Sequence, residues 1–418
     1  MKKNIYIVLF GLLLSMGVVS CDNNTDLLFD ESAAQRKTTA ITEYNEALKS
    51  ADQGWLFQYF PEETQKYGGY NYVVKFNQHD SVTVWSELMS DVTKPEISFY
   101  DVISYGGPVL TFNTYNPLMH YFANPSAQEY LAKGGDYEFL IMSNERDVMT
   151  VKGIKTGNIM RMVRMTETFD EYFKKTQVVS DFLSGASLGT LIDGTEVNII
   201  LGGRQLILNY SENDEVISET VAFIYTDKGI RLYEEVDILG ITAQDFTLNT
   251  EAKQLVSTDG KMTIDIAFAP VDLTLARWSF DTSVETDRSA AIKEVWDLAN
   301  DADAKAWGES LYPNIFMGLC YAAYGDIGIS MYSVTPANKM YRSHYNLGFG
   351  GVVGHDDYLS ITKLSSGQYW QYYGHFQPIV NVVVDNAPYK VELDDANNPS
   401  VVKLTSVANP DVWFVLRK

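Results

Sequence analysis

The sequence predicts an α+β protein that is predominantly β. It should hold two or three antiparallel β-meander domains, each a sandwich or partly closed barrel preceded by a helix. Three observations predict this. Helix signals are few along 418 residues. Short runs of alternating apolar and polar residues fill most of the rest, bounded by Gly, Asn or Asp turns. The order of one helix and then a meander recurs three times.

Each helix has a readable start. Ser32-x-x-Gln35 forms a capping box, and Ile41, Tyr44, Leu48 and Ala51 then recur at helical spacing up to Gly54. Thr168-x-x-Glu171 is a second box, followed by Phe169, Phe173, Val179 and Leu183, with Gly185 as the stop. A third helix begins near Thr286, with Ile292, Val295, Ala299 and Ala302 on one face.

Strands are read between them. Tyr70, Tyr72, Val74 and Phe76 alternate, as do Val82, Val84 and Ser86. Similar runs lie at 99–103, 109–112, 137–141 and 148–151, then at 197–201, 205–210, 221–225, 230–233 and 262–268. The last set is 327–331, 379–384, 389–393, 401–404 and 412–416. The expected division is a lipoprotein signal peptide at 1–20, a tether at 21–30 and a first helix-plus-meander domain at 31–167. A second such domain spans 168–281, and a helix plus aromatic-rich β domain spans 282–418. SFYDVISYGGPVLTF and AFIYTDKGIRLYEEV share an aromatic strand, a turn and a second strand, which suggests a duplicated unit.

The N-terminus reads as a processing signal. Lys2 and Lys3 precede an apolar run, Ile5 to Val19, too short for a comfortable membrane span. Val18-Val19-Ser20-Cys21 then matches a bacterial lipobox. The sequence therefore predicts lipidation of Cys21 and anchoring to a membrane through that lipid. DNNTDLLFDES follows as an acidic tether, of a kind that in some Gram-negative groups accompanies export to the cell surface.

Charge narrows the partners. The formal net charge is −22; without Lys2 and Lys3, 30 bases face 54 acids, a balance of about −24. So acidic a body is unsuited to nucleic acid, whose phosphates need Lys and Arg. After Cys21 only Cys320 remains, so the sequence predicts no disulfide framework and no Cys-based metal site. MGLCYAAY surrounds Cys320 with apolar residues, the setting of a core thiol.

FDESAAQR from Phe29, ALKSADQGW to Trp55, YGGYNYVVKF from Tyr67, GGPVLTFNTYNPLMHYFANP from Gly106, GGDYEFLIMS and VKGIKTGNIMRMVRMTE together resemble a family of bacterial lipoproteins, the domain of unknown function 4302 family. The resemblance implies an outer-membrane or cell-surface lipoprotein accompanying nutrient import, beside a TonB-dependent receptor and its partner lipoprotein. It implies no catalytic residues.

Catalytic and metal motifs are weak. Gly185-Ala-Ser187-Leu-Gly189 fits G-x-S-x-G, but a helix precedes it and a strand follows, the reverse of a nucleophile elbow. Asp301-Ala-Asp303-Ala-Lys305 begins like a calcium loop, yet Lys305 stands where an oxygen ligand belongs. His355-Asp356-Asp357 reads as a solvated loop, and Met340 to Tyr345 with the GFGGVVG after it reads as a loop neighbouring 367–376 that lacks a dinucleotide-binding frame. Met119-His120-Tyr121 offers haem-ligand types without further support. No cofactor, metal or catalytic residue is predicted.

Aromatic residues carry the functional expectation. GQYWQYYGHF, Gly367 to Phe376, crowds aromatics between glycines, and strand alternation cannot bury them all on one side. Tyr369, Trp370, Tyr372, Tyr373 and His375 are the candidate ligand-binding residues, through flat faces and polar tips. The expected function is a non-catalytic binding or assembly role in nutrient capture at the outer membrane. The alternatives are an extracellular polymer hydrolase and a structural or adhesion lipoprotein.

Overall fold

A computed structural model describes residues 32–127 and 129–418. The signal segment, Cys21 and most of the tether lie outside the described residues. The first helix, α1 (Ala33–Lys49), starts on its capping box: Ser32 Oγ accepts from the Gln35 N–H, and Gln35 Oε1 accepts from the Ser32 N–H.

Nine strands follow. They are β1 (Trp55–Tyr59), β2 (Tyr70–Phe76), β3 (Ser81–Ser86), β4 (Glu96–Phe99), β5 (Asp101–Ser104), β6 (Pro108–Thr111), β7 (Glu138–Glu145), β8 (Val148–Gly153) and β9 (Ile159–Arg164). They form one antiparallel sheet in the order β4-β3-β2-β1-β9-β8-β7-β6-β5. The two end strands are consecutive in the chain, with only Tyr100 between them. Alternation runs unbroken through that junction: Ser98, Tyr100 and Val102 are buried, while Ile97, Phe99 and Ile103 are exposed. β4 and β5 thus act as one extended strand that pairs first with β3 and then with β6. The sheet curls on itself, and its ends meet at that switch of partner.

β1 has every residue buried, which is why it shows no alternation in the sequence. Trp55, Phe57 and Tyr59 fill the ring interior, together with Leu48 at the end of α1 and Ala51 just after it. Leu56 faces outward and is covered by α2 (Phe169–Leu183) through Tyr172 and Phe173. The far half of α2, Val179 and Leu183, enters the core of the second ring. One helix therefore packs against two barrels.

The second ring is a closed barrel of β10 (Ser187–Ile192), β11 (Thr195–Gly202), β12 (Gln205–Glu212), β13 (Glu215–Tyr225), β14 (Gly229–Ile238), β15 (Ile241–Asn249), β16 (Gln254–Ser257) and β17 (Thr263–Ala267). β17 pairs with β10 to close it.

The third ring opens with β18 (Arg277–Asp281), ahead of the expected boundary at 282. α3 (Ala290–Trp307) comes after that strand rather than before the unit, and is capped by Ser289 rather than near Thr286. β19 (Ser310–Leu311), β20 (Asn314–Tyr321), β21 (Asp326–Val334), β22 (Met340–Val352) and β23 (His355–Ser366) follow. The unit ends with α4 (Gln377–Val384), β24 (Tyr389–Leu393), β25 (Val401–Ser406) and β26 (Trp413–Arg417). Pairing of β21 with β22 joins the two sides of this nine-stranded sheet. The chain is α+β and predominantly β, in agreement with its pattern.

Three local expectations are corrected. The run 379–384 is helical, not a strand. Pro378 suits the first turn, and Ile379, Val380 and Val383 turn one face into the core, so burial overrides β-branched propensity. Met340 to Tyr345 and the GFGGV part of GFGGVVG lie in β22, with Val353 and Gly354 in the turn, and His355-Asp356-Asp357 opens β23, where loops are expected. The glycines serve packing between barrels: a Cβ on Gly351 would sit 2.5 Å from the Phe268 carbonyl carbon, and one on Gly350 would sit 2.6 Å from Ser187 Oγ. Between the first two barrels, Arg204 donates to Gly69 O (2.7 Å) and Glu87 Oε1 (2.8 Å) and lies over the Tyr70 and Tyr225 rings.

Candidate functional site

The candidate segment 367–376 leaves the third barrel as follows. Gly367 N donates to His344 O (3.0 Å) and His344 N to Gln368 O (3.1 Å), which holds the segment against β22. A side chain at Gly367 would collide with His344, its Cβ falling 2.7 Å from Cδ2. Tyr369 then turns the chain with φ of 59°, a left-handed conformation unusual for a bulky residue.

From there the backbone closes successive three-residue turns. Tyr372 N donates to Tyr369 O, Tyr373 N to Trp370 O and Phe376 N to Tyr373 O, at 3.1, 3.1 and 2.9 Å. In such turns residues three apart share a side. Trp370, Tyr373 and Phe376 point inward and are 7%, 7% and 0% exposed. Tyr369 and Tyr372 point outward, 49% and 54% exposed, and His375 is half-buried. The expectation of a strand is thereby corrected: the period is three, not two. Trp370 is a core residue with its ring edge-on to Tyr345, and Tyr373 stacks on Phe376.

Sequence reasoning missed four residues beside this segment. Trp307, 52% exposed at the end of α3, donates Nε1–H to the Tyr372 carbonyl (3.2 Å) and extends the outward aromatic face. Beneath it lies a polar network. His375 Nε2 is 2.9 Å from Asp303 Oδ1, and Ser333 Oγ donates to Asp303 Oδ2 at 2.6 Å. Ser333 Oγ also contacts Glu309 Oε2. Asp303 and Ser333 are fully buried. Burial, and then the charges of Glu309 and Asp303, push the Tyr373 hydroxyl up to about 12, so it stays a neutral donor. The readable sign was Asp303 itself, an aspartate on the buried face of α3 with Ile292 and Ala299.

The remaining candidates separate. Met119 is in the first core, Tyr121 is exposed beneath the Lys133 ammonium, and His120 stacks on Tyr137 with Nδ1 against the Asn116 backbone. Burial lowers the His120 pKa. Ser187 begins β10 after the stop of α2, as the reversed order around G-x-S-x-G implied. Cys320 is buried, and burial raises its thiol to about 11. Among the described residues, no group of three or more His, Cys, Asp or Glu side chains could hold a metal ion. Among them also, no helix is long and apolar enough to cross a membrane.

These exposures predict opposite outcomes for neighbouring residues. Trp370→Ala should cost roughly 3–5 kcal/mol of stability, as buried Trp truncations do. Tyr372→Ala should stay within about 0.5 kcal/mol, as surface changes do. Urea denaturation of both variants checks the pair.

Comparison with known proteins adds a family. No curated protein matches the chain. Solved structures that align with it include a DNA polymerase sliding clamp and β chains of DNA polymerase III. The clamp, from Pseudomonas aeruginosa, is 10% identical, covering 92% of this chain and 97% of that one, with a TM-score of 0.12. The β chain of DNA polymerase III from Streptococcus pneumoniae is 7% identical over 91% and 97%, with a TM-score of 0.11. The β subunit from Thermotoga maritima is 8% identical over 91% and 97%, with a TM-score of 0.13. Superposition this poor carries no argument about fold or function. Residues 25–250, more than half of the chain, match the profile of a domain of unknown function, and the chain belongs to that family, DUF4302.

Proposed function

We propose that this chain is a lipid-anchored protein of the outer membrane or cell surface with a non-catalytic binding role in nutrient capture. The outward face of the third barrel would be its contact with a glycan. The observation that supports this is the rigid exposure of Tyr369, Tyr372 and Trp307 on one short, internally hydrogen-bonded segment. Flat aromatic faces stack on the C–H faces of sugar rings, and the half-buried His375 edge and Glu309 add polar contacts at the rim.

Fixed rings lose little conformational entropy on binding, which favours a preformed platform. A hydrolase has less support, since Asp303 and Ser333 are buried beneath the aromatic face rather than open to a substrate bond. The acidic balance of the chain argues against a nucleic-acid partner. A TonB-dependent receptor and its partner lipoprotein are the proposed recipients of the captured ligand, on the strength of the family resemblance alone.

Two experiments test this reading. Titration with a panel of soluble oligosaccharides should find binding that the Tyr369→Ala/Tyr372→Ala double variant weakens about tenfold or more, with the melting temperature held within a few degrees. Unchanged affinity in that variant would remove the aromatic face from the account. For the anchor, Cys21→Ala should release the protein from the membrane fraction on cell fractionation, and continued membrane retention would refute lipidation at Cys21.

A further inference from the structure

A second place in the molecule has the chemistry of a binding site, independent of the third barrel. It is a cleft of about 400 Å³ between the first two barrels, bounded by β1 and β9 on one side and β14 and β15 on the other. Its size suits a small molecule. Leu56, Val163, Ile230 and Phe246 supply apolar lining. Nearly all of the lining falls within the stretch that matches the family.

The polar groups in it are unevenly partnered. Arg161 projects from β9, and its Nε–H donates to Gln58 Oε1. Among the described residues, the two terminal nitrogens of Arg161 meet no acceptor, and no carboxylate lies within ion-pair distance of it. Gln58 is 3% exposed, and among the described residues its Nε2 meets no acceptor. Lys228, on the turn between β13 and β14, lines the same cleft and also has no ion-pair partner among the described residues. Of the other charges, Arg231 is held by Asp245, Glu167 by Lys175 and Arg164 by Asp147, while Asp227 has no ion-pair partner among the described residues. Burial and then the nearby Arg231 guanidinium oppose the charge on Arg161, while the Asp245 carboxylate partly supports it. A half-buried guanidinium whose two terminal nitrogens face a cleft is a strong receptor for a planar oxyanion.

We propose that this cleft binds a small molecule through a single carboxylate, received by the terminal nitrogens of Arg161, with Gln58 Nε2 and Lys228 Nζ as further donors. One negative charge fits better than two. Glu167, Asp227 and Asp245 also line the cleft, and each would repel a dianion such as a phosphate monoester. The apolar lining leaves room for a hydrocarbon or sugar body behind the carboxylate.

Isothermal titration of the protein with sodium glucuronate and with N-acetyl-leucine, each against its amide, tests the proposal, with inorganic phosphate as a competitor. At least one acid should bind about tenfold or more tightly than its amide. Arg161→Gln should abolish that preference, Arg161→Lys should restore part of it, and the exposed Lys228→Ala should weaken the acid several-fold without unfolding the chain. The Tyr369 and Tyr372 substitutions should leave it unchanged, so failure here and failure of the glycan reading are separable. Equal binding of acid and amide, no heat from either acid, or indifference to both Arg161→Gln and Lys228→Ala would overturn the proposal. Phosphate binding tighter than both acids would overturn the single-charge assignment.

Discussion

A strand at the edge of a sheet leaves a row of backbone N–H and C=O groups without partners, and this chain is arranged around removing that edge. The second barrel does so by pairing β17 with β10, and the third by pairing β21 with β22. The first uses one extended strand that changes partners at Tyr100. Closure makes every strand two-sided, with an inner face that fills a core and an outer face available for other contacts. Each ring accordingly has its own buried cluster, lined by the alternate residues of its strands.

The outer faces then do the assembling. α2 lies on the outside of the first ring and enters the core of the second, so its two halves join neighbours that share few strand contacts. β22 approaches the second barrel closely because Gly350 and Gly351 carry no side chain. The gap left behind α2 is the cleft that holds Arg161. It exists because two convex barrels, which touch through α2, the Arg204 bridge and local contacts such as Gly69 N–H to Phe223 O and Phe60 on Tyr233, cannot meet along their whole length.

Much of this was legible in the sequence, and the failures have physical causes. The capping boxes at Ser32 and Thr168 are local hydrogen-bond motifs, so both helix starts could be read directly. Alternating strands such as β3 could be read because one face is buried and the other only half-buried. β1 could not, because α2 dries its other face. The helix at 377–384 was hidden by its β-branched residues, whose burial only the assembled barrel provides. At the candidate site, the crowding of aromatics between glycines was visible, but not the three-residue period that sorts them. That period buries Trp370 and Tyr373 and leaves Tyr369 and Tyr372 outside. Trp307, Asp303, Glu309 and Ser333 come from distant segments and meet the site only through the fold.

Because both proposed binding surfaces depend on closed rings, amide hydrogen exchange at the closures is the most direct measurement. Closed rings predict that amides in Glu96–Ser104, in β10 and β17, and in β21 and β22 are protected to the same order as those of β7 and β8. Exchange in these segments orders of magnitude faster than in β7 and β8 would mean that the rings are open, and the account would fail at its first step.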